Sequence, residues 1–173
     1  MAKVLMLIDS EFQDAEALIP YYRMKEAGYR VDLVGPEAGV TYKGKYGYPL
    51  TSDLAAAEVN IDDYEAVIIP GGRAPDHMRT VEPMVQLVRD AFARGKVVAA
   101  ICHAAQVLIE ADVVRGKRAT CYVSVKTDLK NAGGLYQDRE VVVDGNLVTS
   151  RVPADLPAFC RETLRLLEQR ARG

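Results

Sequence analysis

Four short runs of aliphatic residues punctuate the chain: Val4 to Ile8, Val31 to Val34, Ala66 to Ile69 and Val97 to Ile101. They are nearly continuous rather than alternating with polar residues, so each is expected to be buried on both faces, as strands of a helix-covered parallel sheet are. Between the first two, Leu18, Ile19, Tyr22 and Met24 recur at helical spacing within Ala15 to Ala27, and Gly28 follows as a residue that can leave the helix with positive φ. Between the third and fourth, Val81 to Arg94 carries Pro83 in its first turn and Gly95 just past its end. This alternation predicts an α/β fold with an open, doubly wound parallel sheet and helices on both faces.

Two segments break the alternation. Val40 to Leu50, with Gly44 and Gly47 among three tyrosines, predicts a small inserted β-hairpin, and Glu140 to Ser150 predicts another around Asp144-Gly145. Pro153 to Arg170 places Leu156, Phe159, Leu164 and Leu167 on one face, as expected of a closing helix packed on the sheet. Neither a repeat nor a low-complexity linker interrupts the 173 residues, so residues 1–173 read as one domain.

Composition narrows the function. The 22 basic and 24 acidic residues leave a net charge of -2, which argues against nucleic-acid or anionic-membrane partners, because both select clustered basic charge. The first apolar run is too short for a membrane span and is followed at once by acidic residues, so a cytoplasmic protein is expected. Three cysteines without a C-x-x-C pair fit a reducing compartment and offer no zinc or disulfide framework. No P-loop and no glycine-rich dinucleotide fingerprint follows the first strand, so neither a cofactor nor a metal is expected.

The candidate chemistry gathers at three strand ends. At Ala100-Ile101-Cys102-His103-Ala104, a buried strand turns into a helix with a cysteine at the junction and small residues around it. That is a nucleophile-elbow arrangement, in which the side chain stands above the carboxyl edge of the sheet where open α/β folds bind ligands. The helix start and the adjacent histidine are expected to lower the thiol pKa of Cys102, whereas Cys121 and Cys160 read as buried structural residues. With only His77 and His103 in the chain, a triad with a distant downstream histidine is excluded. His103 needs an unusual turn to face its neighbour, and His77 reads as a solvated surface residue. After the third strand, Gly71-Gly72 either forms a tight turn or joins the His103 N–H in an oxyanion hole, and both readings stay open. After the first strand, Asp14 reads as a helix cap, while Glu16, one turn in, is placed to hydrogen-bond the sulfur.

Four segments, Ser10 to Glu16, Pro70 to Asp76, Ala100 to Gln106 and Ser150 to Leu156, occur in this order, and together they resemble the PfpI family of intracellular proteases. That family lies in the flavodoxin-like superfamily that includes the Parkinson-disease protein deglycase. The resemblance implies a flavodoxin-like fold, assembly of the chain with itself as a homodimer or homohexamer, Cys102 as nucleophile and Glu16 as the buried glutamate at its sulfur. It also implies catalytic roles for His103 and for Asp76, the latter supplied across a subunit boundary, and places Tyr122 at the pocket mouth. The chain departs from the family pattern at Ala104-Ala105, where Gly-Pro is usual, at Val123-Ser124, where Pro-Gly often follows the tyrosine, and in the shorter Asp76. The implied activity is a cysteine hydrolase acting on an electrophilic carbonyl, either a peptide or a methylglyoxal-type adduct as in glyoxalases and protein deglycases. A redox-sensing or chaperone-like stress protein without turnover is the alternative from another class, and an isonitrile or amide hydratase is a third.

Overall fold

The computed structural model describes residues 1–173. In chain order the elements are β1 (Lys3–Leu7), α1 (Asp14–Glu26), β2 (Arg30–Gly35), β3 (Thr41–Lys43), β4 (Pro49–Thr51), β5 (Leu54–Ala55), β6 (Ala66–Ile69), α2 (Ala74–Met78), α3 (Glu82–Ala93) and β7 (Val97–Ile101). There follow α4 (Ala105–Glu110), β8 (Arg118–Ala119), α5 (Lys126–Asn131), β9 (Leu135–Tyr136), β10 (Val142–Asp144), β11 (Leu147–Ser150) and α6 (Leu156–Arg172). Seven strands form one sheet in the order β10-β11-β7-β6-β1-β2-β5, parallel throughout except for the β10–β11 hairpin. The chain runs outward from β1 to β2, then returns to place β6 on the other side of β1. This reversal opens a crevice at the carboxyl ends of β1 and β6, which is where such sheets bind ligands.

The core follows from the apolar runs. All of Val4 to Ile8, Ala66 to Ile69 and Val97 to Ile101 are buried, as strands covered on both faces must be. Helix α3 adds Met84, Val85, Leu87, Val88 and Ala91, and α6 adds Leu156, Phe159, Leu164 and Leu167. Gly28 and Gly95 leave their helices with φ of 97° and 69°. Both expected hairpins form, as β3–β4 and β10–β11.

Helix α1 differs from its expected face. It buries Glu16, Ala17, Pro20 and Met24, while Ile19 and Tyr22 stay 48% and 55% exposed. Of the four apolar residues at helical spacing only Met24 is buried, because Glu16, Ala17 and Pro20 take the rest of the inward face. The cap also differs. Gln13 caps α1 by accepting the Glu16 N–H at 2.9 Å, and the Asp14 carboxylate instead accepts the N–H groups of Tyr46 and Tyr48 at 2.9 and 3.0 Å. Asp14 thus ties the β3–β4 turn to the first turn of α1, and Gly44 is required beneath it, since a Cβ there would overlap the carboxylate.

Replacing Asp14 by Ala should therefore cost on the order of 1 kcal/mol, because the two hydrogen bonds are charge-assisted but largely exposed. It should also make the β3–β4 turn the first site of limited proteolysis. Urea unfolding with mapping of the early cleavage products checks both outcomes.

Candidate active site

Three loops meet at the carboxyl edge of the sheet, following β1, β6 and β7, and backbone hydrogen bonds join the first two. Gln13 N–H donates to Gly71 O and Arg73 N–H to Glu11 O, each at 3.0 Å, around a bridge between Phe12 and Gly72. Gly72 has φ 82° and lies against the backbone of residues 11–13, where a Cβ has no room. The turn reading of the paired glycines is thus met at Gly72, and the same turn sets its N–H beside Cys102.

Cys102 follows β7 directly and has φ 65°. The residue is only 7% exposed. A non-glycine residue in the left-handed region costs roughly 1–2 kcal/mol and persists where its surroundings dictate it. Only Glu11 and Asp112 share this conformation, and Glu11 lines the same pocket. The backbone N–H groups of His103 and Gly72 lie toward the sulfur and favour its charged form. The same turn swings the His103 ring back, with Nδ1 3.3 Å from Sγ and Nε2 3.3 Å from Ser124 Oγ. The ring stacks on Tyr122 with centroids 4.8 Å apart. The unusual turn that His103 needs is therefore present, and the group holding its far nitrogen is a hydroxyl.

Glu16 is fully buried. Its Oε1 accepts the Gly71 N–H at 2.8 Å, its Oε2 has no hydrogen-bond partner, and the carboxyl group lies beside the Cys102 thiol. Gly71 is indispensable to this contact: a Cβ would lie 2.5 Å from Glu16 Oε1 and 2.8 Å from Cys102 Cβ. Its N–H is committed to Glu16, so Gly72 and His103 supply the donors facing the sulfur.

The charges set the reactivity. Burial pushes the Glu16 carboxyl up to about 7, against the lowering pull of the Gly71 N–H, Cys102 and Lys45. Burial first, then the charge of an ionised Glu16, pushes the Cys102 thiol up to about 12, against the N–H groups of His103 and Gly72. The lowered thiol pKa expected from a helix start is thus corrected. A single 3-10 turn at residues 102–104 separates the cysteine from a six-residue helix, and its few N–H groups do not outweigh burial beside a carboxylate. The sulfur can ionise near neutral pH only while Glu16 keeps a proton, so the two groups titrate as a pair. Burial, then the Lys45 charge, lowers the His103 pKa and keeps that ring neutral. Cys121 and Cys160 are buried with raised pKa values, as structural thiols are.

The pocket above the sulfur has a volume of about 660 Å³. It gathers Cys102, His103, Glu16, Gly72 and Tyr122, with Gly71 behind them as a support, and Asp76 of the same chain lines it too, where the resemblance implied a role across a subunit boundary. Asp76 is exposed at the mouth and makes no side-chain hydrogen bond within its own chain. Lys45 and Tyr46 from the hairpin turn, Gln106 and His77 also line it. The first two become visible only once Asp14 ties the hairpin over the site. Arg151 clamps buried Asp155 through two contacts of 3.0 Å, fixing the loop whose Val152 and Pro153 close the pocket, so the fourth sequence segment is a support.

Because the folded pKa of Glu16 lies above its unfolded value, the native state holds this proton more tightly than the unfolded chain does. Its contribution to stability is therefore greatest below about pH 4.5 and falls as pH rises toward 7, by up to ~3 kcal/mol. Glu16→Gln retains the acceptor for Gly71 and removes the charge. Its melting temperature relative to wild type should rise between pH 4.5 and 8, which thermal unfolding of both proteins in matched buffers checks.

Comparison with known proteins identifies the family of the chain. A model of the DJ-1/PfpI family matches residues 2–166. The chain is 47% identical over 166 residues to Deglycase PfpI of Pyrococcus furiosus, covering 96% of this chain and 99% of that one. It is 46% identical over 167 residues to Protein/nucleic acid deglycase 2 of Escherichia coli K12, covering 95% and 97% respectively. Among solved structures, it superimposes with a TM-score of 0.96 and 43% identity on a two-domain protein of Anabaena variabilis that contains DJ-1/ThiJ/PfpI-like and ferritin-like domains. That match covers 97% of this chain and 48% of the longer one. Matched by the family model over nearly its whole length and by relatives at this identity, this chain belongs to the DJ-1/PfpI family.

Proposed function

We propose that the protein is a cysteine-dependent hydrolase of the PfpI type that attacks an electrophilic carbonyl, with methylglyoxal-type adducts as its first substrate class and peptides as its second. The observation that carries this reading is the Cys102 sulfur, held in a left-handed turn between two backbone N–H groups and a buried glutamate able to keep a proton. With the proton on Glu16, the thiolate adds to the carbonyl carbon and the C–S bond forms. The oxygen that gains charge takes the N–H groups of His103 and Gly72 as its donors, and Glu16 supplies the proton that neutralises it. A pocket of about 660 Å³ fits a small adduct, and two relatives bear deglycase names.

The proposal includes self-association as a homodimer or homohexamer. Ile19 and Tyr22 of α1, with Tyr48 beside them, leave apolar surface uncovered, and Asp76 waits at the pocket mouth without a partner in its own chain. A second copy would cover the first and engage the other. No helix is long and apolar enough to cross a membrane. Three free cysteines suit the reducing cytoplasm, which is the compartment proposed here.

Wild type, Cys102→Ala and Asp76→Asn should be assayed together on methylglyoxal, a glycated amino acid and fluorogenic peptides, with light scattering to give the mass in solution. Turnover lost at least ~10³-fold in Cys102→Ala, and lowered in Asp76→Asn at unchanged mass, is the expected outcome. Clean oxidation of Cys102 by peroxide, with no turnover of any substrate, would favour the redox-sensing alternative.

A further inference from the structure

Both histidines of the chain line the same pocket, and only His103 has been given a role. The second, His77, sits on α2 with its side chain 62% exposed, and its Nδ1 is hydrogen-bonded to Oδ2 of Asp9. Asp9 follows β1 and is only 2% exposed. Its other oxygen accepts the Ser10 N–H at 2.8 Å. A buried carboxylate accepting from Nδ1 fixes the tautomer of the neutral ring so that Nε2 is its free acceptor, and no group of the chain occupies Nε2. This is the carboxylate-oriented imidazole used to abstract protons, and it faces a pocket that already holds a nucleophile.

His103 is poorly placed for that task. One of its nitrogens faces Sγ, the other Ser124, and its ring is stacked on Tyr122. A hydrolase working through Cys102 needs two proton-handling events on different atoms: one at the sulfur when the adduct forms, and one at the water that releases the acyl group.

We propose that His77, oriented by Asp9, is the base that activates the water discharging an acyl group from Cys102. In this step a water proton passes to His77 Nε2 as the water oxygen bonds to the thioester carbon. The tetrahedral intermediate collapses, the C–S bond breaks and the sulfur takes the bonding pair. The product leaves as a carboxylic acid, and the proton on His77 returns to the solvent that its exposed edge touches. Asp9 never meets the substrate and is a positioning residue. The inference rests on the hydrolase reading, because it requires an acyl group on Cys102.

The test uses p-nitrophenyl acetate as an acylating probe, with stopped-flow detection of nitrophenolate and intact mass of the protein. Wild type is expected to give a burst that Cys102→Ala lacks, followed by steady turnover. In His77→Gln the burst should persist at wild-type rate, steady turnover should fall ~10²-fold, and acetylated Cys102 should accumulate. Added imidazole should restore turnover in His77→Ala. In Asp9→Asn the deacylation rate should fall and its pH profile should shift while the burst is kept. Should burial of Asp9 make that variant unfold, the His77 variants carry the test, since the exposed ring holds no core together. A normal burst with unchanged steady turnover in His77→Gln would overturn the assignment alone. Absence of a Cys102-dependent burst in wild type would overturn the hydrolase reading and this assignment with it.

Discussion

A carboxyl group buried against a thiol is the constraint around which the edge of this sheet is arranged. Glu16 has one oxygen on the Gly71 N–H and the other without a hydrogen-bond partner, and it lies beside the Cys102 thiol with no water-facing surface. Leaving both groups ionised in such a place is prohibitive, so they keep a proton between them. Each nearby feature serves that contact. Gln13 starts α1 so that Glu16 falls in its first turn, and β7 ends so that Cys102 turns back toward α1. Glycine at 71 is the one residue that lets the two side chains meet.

The division of labour across the pocket follows from this arrangement. On the inner side, Glu16 and the N–H groups of His103 and Gly72 govern the state of the sulfur. On the outer side, residues from the β3–β4 turn, α2 and the loop before α6 form walls, each held by a separate polar anchor: Asp14 for the turn, Asp9 for His77, and Arg151 with Asp155 for the loop. A rigid base under replaceable walls lets one nucleophile serve different carbonyl substrates, because the walls set what fits and the base sets the chemistry.

The central strands, both hairpins and the helix-ending glycines were legible in the sequence because each depends on a local pattern: a continuous apolar run, a turn dipeptide, a residue free to take positive φ. The elbow at Cys102 was legible for the same reason. Features set by distant contacts were hidden. Asp14 looked like a cap because acidic residues at helix starts usually are, and only the folded hairpin shows its other partners. His77 looked solvated because Asp9 lies 68 positions away in the chain. Ser124 was visible only as a departure from a family pattern, and its contact with His103 depends on the left-handed turn at Cys102. The pKa of Cys102 was misjudged because the sequence displays the helix start and conceals the burial. Five of the unforeseen elements, β5, β8, β9, α2 and α5, have six residues or fewer, too few to show a period.

The shared proton is the centre of this account, and the pH dependence of Cys102 alkylation reads it directly. Iodoacetamide rates at Cys102, followed by peptide mass in wild type and Glu16→Gln, should differ in form. Wild type should show a first rise near pH 7, where the pair loses one proton, and a second near pH 12. Glu16→Gln should show a single rise between them. Superimposable profiles, or a wild-type profile with only one rise at the pH of an ordinary thiol, would contradict the sharing of a proton between Glu16 and Cys102.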